Sequence, residues 1–219
     1  MAASTCILTS EPDSTDPEGP APRADLRDVA LQLRLLLSLG VSFAVATVLS
    51  VTGPAVRRAG TVVVVTESGQ TIGFRPEGCL DGAIRDLAAE VVSTGQDRLE
   101  QLEIDAEAAS YIGLSGRVSL QVHITRVQAG DAAFGNALRH LDSGDAHVVV
   151  IGTRGLTGCA VVGQARTAGN LGWPDLPPPV IDDARSLLET HQTAWRSYGP
   201  GGDRGGTATQ VWMQPYPRM

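Results

Sequence analysis

The segment Gly73-Phe-Arg-Pro-Glu-Gly-Cys-Leu-Asp-Gly-Ala sets a lone cysteine, Cys79, behind a glycine-bounded turn. Apolar residues at helical spacing follow it: Leu80, Ile84, Leu87, Ala88 and Val91. A thiol at a helix N-terminus faces unpaired backbone N–H groups, whose partial positive charge favours the thiolate and draws an anion close. Arg75 adds to that field, while Glu77 and Asp81 oppose it. The same cysteine also reads as a small buried hydrophobe, because free cysteines are among the most buried residues. A second candidate is the loop Thr52-Gly-Pro-Ala-Val-Arg-Arg-Ala-Gly60, where Arg57 and Arg58 stand between glycines. Guanidinium groups on such a loop suit bidentate capture of a phosphate, and a solvated surface arginine pair is the plainer alternative.

The inventory excludes several other chemistries. All 17 basic residues are arginine, so a Walker-type phosphate loop, a Schiff-base lysine and a Ser-Lys dyad are absent. His123, His140, His147 and His191 form no i, i+4 pair or ligand cluster, and no metal site is expected. His123 and His147 fall within strand patterns and read as packed or edge residues. The three cysteines, Cys6, Cys79 and Cys159, include no C-x-x-C and are odd in number, against both a disulfide framework and a structural zinc. A net charge of −7 without a basic run opposes nucleic-acid binding. No apolar run reaches the roughly eighteen residues of a membrane span. The first 24 residues are rich in Ser, Pro and acids, lack the pattern of a secretory signal and read as a disordered leader. The expected location is cytoplasmic.

The elements that must position Cys79 follow from periodicity. Leu26, Val29, Leu33, Leu36 and Leu37 predict a helix stopped at Gly40. Phe43–Val51, Thr61–Thr66 and Gln70–Phe74 read as strands, with a hairpin turn at Glu67–Gly69. A helix from about Leu80 to Ser93 and strands at Leu99–Ile104 and Val118–Ile124 complete a unit. The order then repeats: a helix at Ala132–Leu141, strands at His147–Ile151 and Cys159–Val162, and a helix at Val180–Thr190. Asp182 and Asp183 are placed in that helix's first turn, and Ser197–Gly206 is read as a flexible connector. Gly116–Ile124 matches Gly205–Met213 in register, and Gly73-Phe74 is matched to Gly172-Trp173, Asp81 and Ala83 to Asp182 and Ala184. The expected fold is α+β, mixed sheets flanked by helices, in two similar tandem units at residues 25–128 and 129–219. Strands such as Val62–Val65 and Val148–Ile151, apolar on both faces, suggest a homodimer.

Together these pieces resemble the xanthine dehydrogenase accessory factors, the XdhC/CoxI family, in its N-terminal region. Members carry an A-T-V-V strand, a G-S-x-P-R-x-x-G loop, a hairpin, and S-G-G-C-V-E-x-A opening a helix. Here Gly53, Arg57 and Gly60 keep the loop, with Pro54 and Val56 as departures, and Gly78, Cys79, Asp81 and Ala83 keep the cysteine motif, with Pro76-Glu77 replacing Ser-Gly. The family's later C-G-G is replaced by Ser115-Gly116-Arg117, and no G-x-G-x-x-G announces the Rossmann domain that follows in members.

The resemblance implies a protein that binds molybdenum cofactor, or its carrier, during maturation of a molybdenum hydroxylase of the xanthine or carbon monoxide dehydrogenase type. It implies Gly53, Arg57, Gly60, Gly78, Cys79 and Asp81 as the residues around that cofactor. Its partners would be the apo-hydroxylase and a separate Rossmann-domain protein. Two alternatives stay open: a degenerate interaction module that has lost the cofactor, and a small-molecule enzyme using Cys79, for which no general base stands at recognisable spacing.

Overall fold

A computed structural model of the chain describes residues 24–54, 58–73, 79–111 and 115–218, and among these it leaves the side chains of Cys79 and Asp81 undescribed. The leader falls outside those residues.

The first helix, α1 (Leu26–Ser38), opens on a capping box in which the Asp25 carboxylate accepts from Arg27 N and Asp28 N and the Asp28 carboxylate accepts from Asp25 N. It buries Leu26, Val29, Ala30 and Leu33, and Gly40 follows at φ +71°. The rest of the first unit is β1 (Phe43–Thr52), β2 (Val62–Thr66), β3 (Thr71–Gly73), α2 (Cys79–Thr94), β4 (Arg98–Ile104), α3 (Ala106–Tyr111) and β5 (Val118–Val127). The second is α4 (Ala132–Leu141), β6 (His147–Arg154), β7 (Cys159–Gly163), β8 (Thr167–Asn170), α5 (Pro178–Thr190), β9 (Ala194–Tyr198) and β10 (Thr209–Tyr216). Each unit forms a five-stranded sheet, β3-β2-β1-β5-β4 and β8-β7-β6-β10-β9. All pairings are antiparallel, so the sheets are not mixed in direction as expected; α2 carries the chain from edge strand β3 to the opposite edge strand β4, as α5 does from β8 to β9.

Strand register shows that the units are copies. Phe43 pairs with Thr66 and Val127, and His147 pairs with Gly163 and Tyr216. Both central strands then bulge at the same place: Val48 faces Val122 and Ser50 faces Gln121, just as Gly152 faces Val211 and Arg154 faces Gln210. Gln121 and Gln210 therefore occupy one position, as the sequence match implied. The match of Gly73 to Gly172 is corrected. Gly73 pairs with Val63 and Gly169 with the equivalent Ala160, and a Cβ on either would meet the carbonyl oxygen of the residue before its partner, Val62 or Cys159. From there Ile84, Ala88, Val91 and Val92 of α2 correspond to Val180, Ala184, Leu187 and Leu188 of α5. Asp81 and Ala83 thus match Pro177 and Pro179, not Asp182 and Ala184. The prolines set the start of α5 at Pro178, so the first turn of α2, which begins at Cys79, has no helical counterpart.

Three apolar layers hold the molecule together. One lies between α2 and the outer face of the first sheet, where Ala44, Ala46, Val48, Val63 and Val65 meet Ile84, Ala88 and Val91. Its counterpart lies between α5 and Val148, Val150, Ala160 and Val162. The third is central, where α1, α4 and the inner faces of both sheets meet. Across it, Leu37 Cδ1 lies 3.5 Å from where a Cβ on Gly135 would stand, and Arg34 pairs with Asp142 at 3.0 Å. The two-faced strands that suggested a second copy are therefore covered on both faces within one chain.

Two further expectations change. Asp182 and Asp183 lie beyond the first turn of α5, because the helix opens at Pro178. The Ser197–Gly206 stretch is a hydrogen-bonded hairpin loop between β9 and β10: Gly199 N donates to Asp203 O at 2.8 Å and Trp173 Nε1 donates to Pro200 O at 2.8 Å.

Candidate functional site

The antiparallel register brings the sequence-named positions to one end of the first sheet. β1 runs past the start of β2, since Thr47 already faces Val62, and β3 ends at Gly73 opposite Val63. The loop between β1 and β2 and the segment entering α2 at Cys79 therefore leave the same sheet end. β5 starts there too, with Ser119 facing Thr52. A Cβ on Gly53, at φ +90°, would strike the carbonyl oxygen of Arg117, so the Ser115-Gly116-Arg117 stretch borders the glycine loop. A Cβ on Gly60, also at φ +90°, would strike the Gln214 side chain on β10, which brings the second unit to this end. The positive φ at both positions, and the Arg117 backbone beside Gly53, explain why both are glycine. Arg58 is exposed. Arg57 and Gly78 lie outside the described residues, as do the side chains of Cys79 and Asp81.

By the same pseudo-symmetry, the loop end of the second unit faces the end of β5. There it encloses a cleft of about 580 Å³ lined by Asp97, Thr125, Arg126, Asp131, Gly158 and Asn170, among others. The Asp97 carboxylate accepts from Thr125 Oγ1 at 2.9 Å and Arg126 N at 3.1 Å. Asp131 caps α4 by accepting from Phe134 N at 2.9 Å. Arg126 approaches Glu67 at 3.5 Å. These residues come from separate stretches with no motif spacing, so a sequence search overlooks them; the repeat in its correct register is the signal that would have shown the cleft.

The other titratable candidates are structural. Cys159 is buried in the central layer, and its thiol is pushed up to about 12, by burial first and by Asp131 second. His123 is buried, and burial holds its pKa below the ordinary histidine value, with Asp97 acting the other way. Of the packed and edge positions their patterns allowed, both strand histidines take the packed one. Among the described residues no three His, Cys, Asp or Glu side chains cluster to hold a metal, and no helix is long and apolar enough to cross a membrane.

Residues 36–103 match the XdhC and CoxI family. They run from the last turn of α1 through β4 and contain the glycine loop and the cysteine turn. A solved structure described as a xanthine dehydrogenase from Bacillus halodurans is similar with a TM-score of 0.52 and 16% identity, over 86% of this chain and 53% of that one. At that identity the likeness is one of fold, and this chain spans about half the length of its neighbour. Among curated proteins none matches this sequence. The chain thus carries an XdhC and CoxI family segment over residues 36–103, set in a tandem α+β fold similar to that of the Bacillus halodurans protein.

Proposed function

We propose that this protein holds molybdenum cofactor, or a protein carrying it, during assembly of a molybdenum hydroxylase. The observation that supports this reading is the coincidence of family and topology. The matched segment contains both the Gly53–Gly60 loop and Cys79, and strand register brings the two to one sheet end beside Ser115-Gly116-Arg117. The cofactor is cargo here, and its anionic group suits the donors available. The N–H groups in the first turn of α2 have no partner within the helix, and Arg57 belongs to the same loop end. Cys79 would contribute a soft thiolate toward the metal or its sulfur. Gly53 and Gly60 would shape the loop rather than touch the cargo. The apo-hydroxylase would be the recipient.

The test is the cofactor content of protein purified from cells that make molybdenum cofactor. Near-stoichiometric molybdenum and pterin are expected, lost in Cys79→Ser and reduced in Arg57→Ala while both variants keep the wild-type melting temperature. Protein free of pterin, or variants that retain it fully, would overturn the reading.

A further inference from the structure

Three buried side-chain nitrogens lack a hydrogen-bond partner among the described residues: Arg27 Nε, Arg126 Nε and His147 Nδ1. Two of them flank one place. Arg27 donates from Nη1 to the Pro217 carbonyl at 2.7 Å and from Nη2 to the Asp145 carbonyl at 3.2 Å, with its guanidinium 5.0 Å from the centre of the Tyr216 ring. His147, two residues after Asp145, opens β6 and is 1% exposed. It lines a cavity of about 430 Å³ together with His140, Ser143, Asp145, Arg166 and Arg218. The His140 and His147 rings meet edge to face at 4.5 Å, and His140 Nε2 lies 3.3 Å from the Arg166 carbonyl. Gly163, another lining residue, is held from α5 by Arg185, which donates from Nε to its carbonyl at 3.2 Å.

Packing does not require an imidazole at this position. Phe43 is the counterpart of His147 in the first unit, with the same two strand partners, and fills the equivalent place with an apolar ring. The Asp145 backbone lies near enough to favour the charged ring, yet by hydrogen-bond geometry His147 Nδ1 stays unpaired, a cost for a buried imidazole. The surroundings say what partner would offset it. In a chain of net charge −7, His140 from α4, Arg166 from the β7–β8 turn and Arg218 after β10 line the cavity with His147, and the positive charge of Arg27 from α1 acts on its ring. Asp145 is the one acid among the described lining residues.

We propose that this cavity binds a small oxyanion of the phosphate type, held by His140, His147, Arg166 and Arg218. Guanidinium groups and imidazoles donate to such an anion, and the cavity has room for a small ester group beyond the phosphate. The site is independent of the maturation reading, and pterin content plays no part in its test.

Calorimetric titration of the full chain with inorganic phosphate, at about pH 7, tests the site, alongside NMR of the histidine ring protons. Binding should saturate, and the His140 and His147 signals should shift while that of His191, exposed at the end of α5, stays fixed. His147→Phe, which copies the first unit, and Arg166→Ala should each weaken binding by about tenfold. The melting temperature of His147→Phe should hold or rise, which separates loss of binding from loss of fold. No binding by folded wild-type protein, equal affinity in both variants, or phosphate shifts spread evenly over all four histidines would overturn the proposal.

Discussion

Cys159 and Cys79 occupy opposite electrostatic settings. Cys159 lies in the central apolar layer with its thiol pushed up to about 12, whereas Cys79 begins α2, where unpaired N–H groups favour a thiolate. A pulse of alkylating reagent on native protein should therefore label Cys79 ahead of Cys159, as read by mass spectrometry. Cys159→Ser should lower stability by about 1–3 kcal/mol through a buried hydroxyl, while Cys79→Ser keeps the fold. An inert Cys79 with a destabilised Cys79→Ser variant would end the case for a functional thiol. Asp183 offers a pH-dependent test. Burial raises its pKa, but hydrogen bonds from Arg204 and from the Tyr198 hydroxyl at 2.8 Å outweigh that, leaving the carboxyl below its ordinary value. A depressed carboxyl stabilises the fold above its unfolded pKa, and that contribution is lost as pH falls through the folded one. Asp183→Asn should melt below wild type at neutral pH, and the gap should close below about pH 4. A gap independent of pH would exclude the carboxylate as its source.

At the scale of elements, glycines of different conformation should respond in opposite directions. Gly82 in α2 has no atom within 4 Å of where a Cβ would stand, and Gly135 in α4 has an ordinary 3.5 Å contact with Leu37. Alanine at either should add about 0.5–1 kcal/mol by removing backbone entropy from the unfolded chain. At Gly169, with φ +96° and the Cys159 carbonyl in the way, alanine should cost about 1–3 kcal/mol. Urea titration of the three variants checks both signs. The long elements were legible because periodicity survives in them: α1 from its leucines, β1 from an apolar run, α4 with its bounds at Ala132 and Leu141. β8, β9 and α3 were not. The Thr-Ala-Gly-Asn of β8 reads as a polar turn, and it becomes a strand only because β7 offers it an edge.

For the whole molecule, three apolar layers join the described elements, and a chelating agent should leave the melting temperature unchanged. A marked drop would reveal a metal site. The central layer joins the units by burying α1 against α4 between the inner faces of the two sheets. Leu33→Ala on α1 and Leu138→Ala on α4, both fully buried there, should each cost about 2–5 kcal/mol and unfold both units in one transition. Two separated transitions in calorimetry would show that the units fold independently.

The sequence by itself determined the α+β class, the tandem order of units and the family-bearing stretch from the glycine loop to Cys79, because hydrophobic period and motif spacing are local properties of the chain. It also placed Gln121 and Gln210 together, since that match lies within one strand. Only the tertiary structure decided the register of the repeat through Gly73 and Gly169, where the alignment is hidden by unlike side chains and marked by strand pairing. Only the tertiary structure, likewise, brought Gly60 against Gln214, built the Asp97–Arg126 cleft and set His140 beside His147. Each of these contacts joins residues far apart in sequence, and their proximity follows from how two antiparallel sheets face each other across a shared core, which no local pattern encodes.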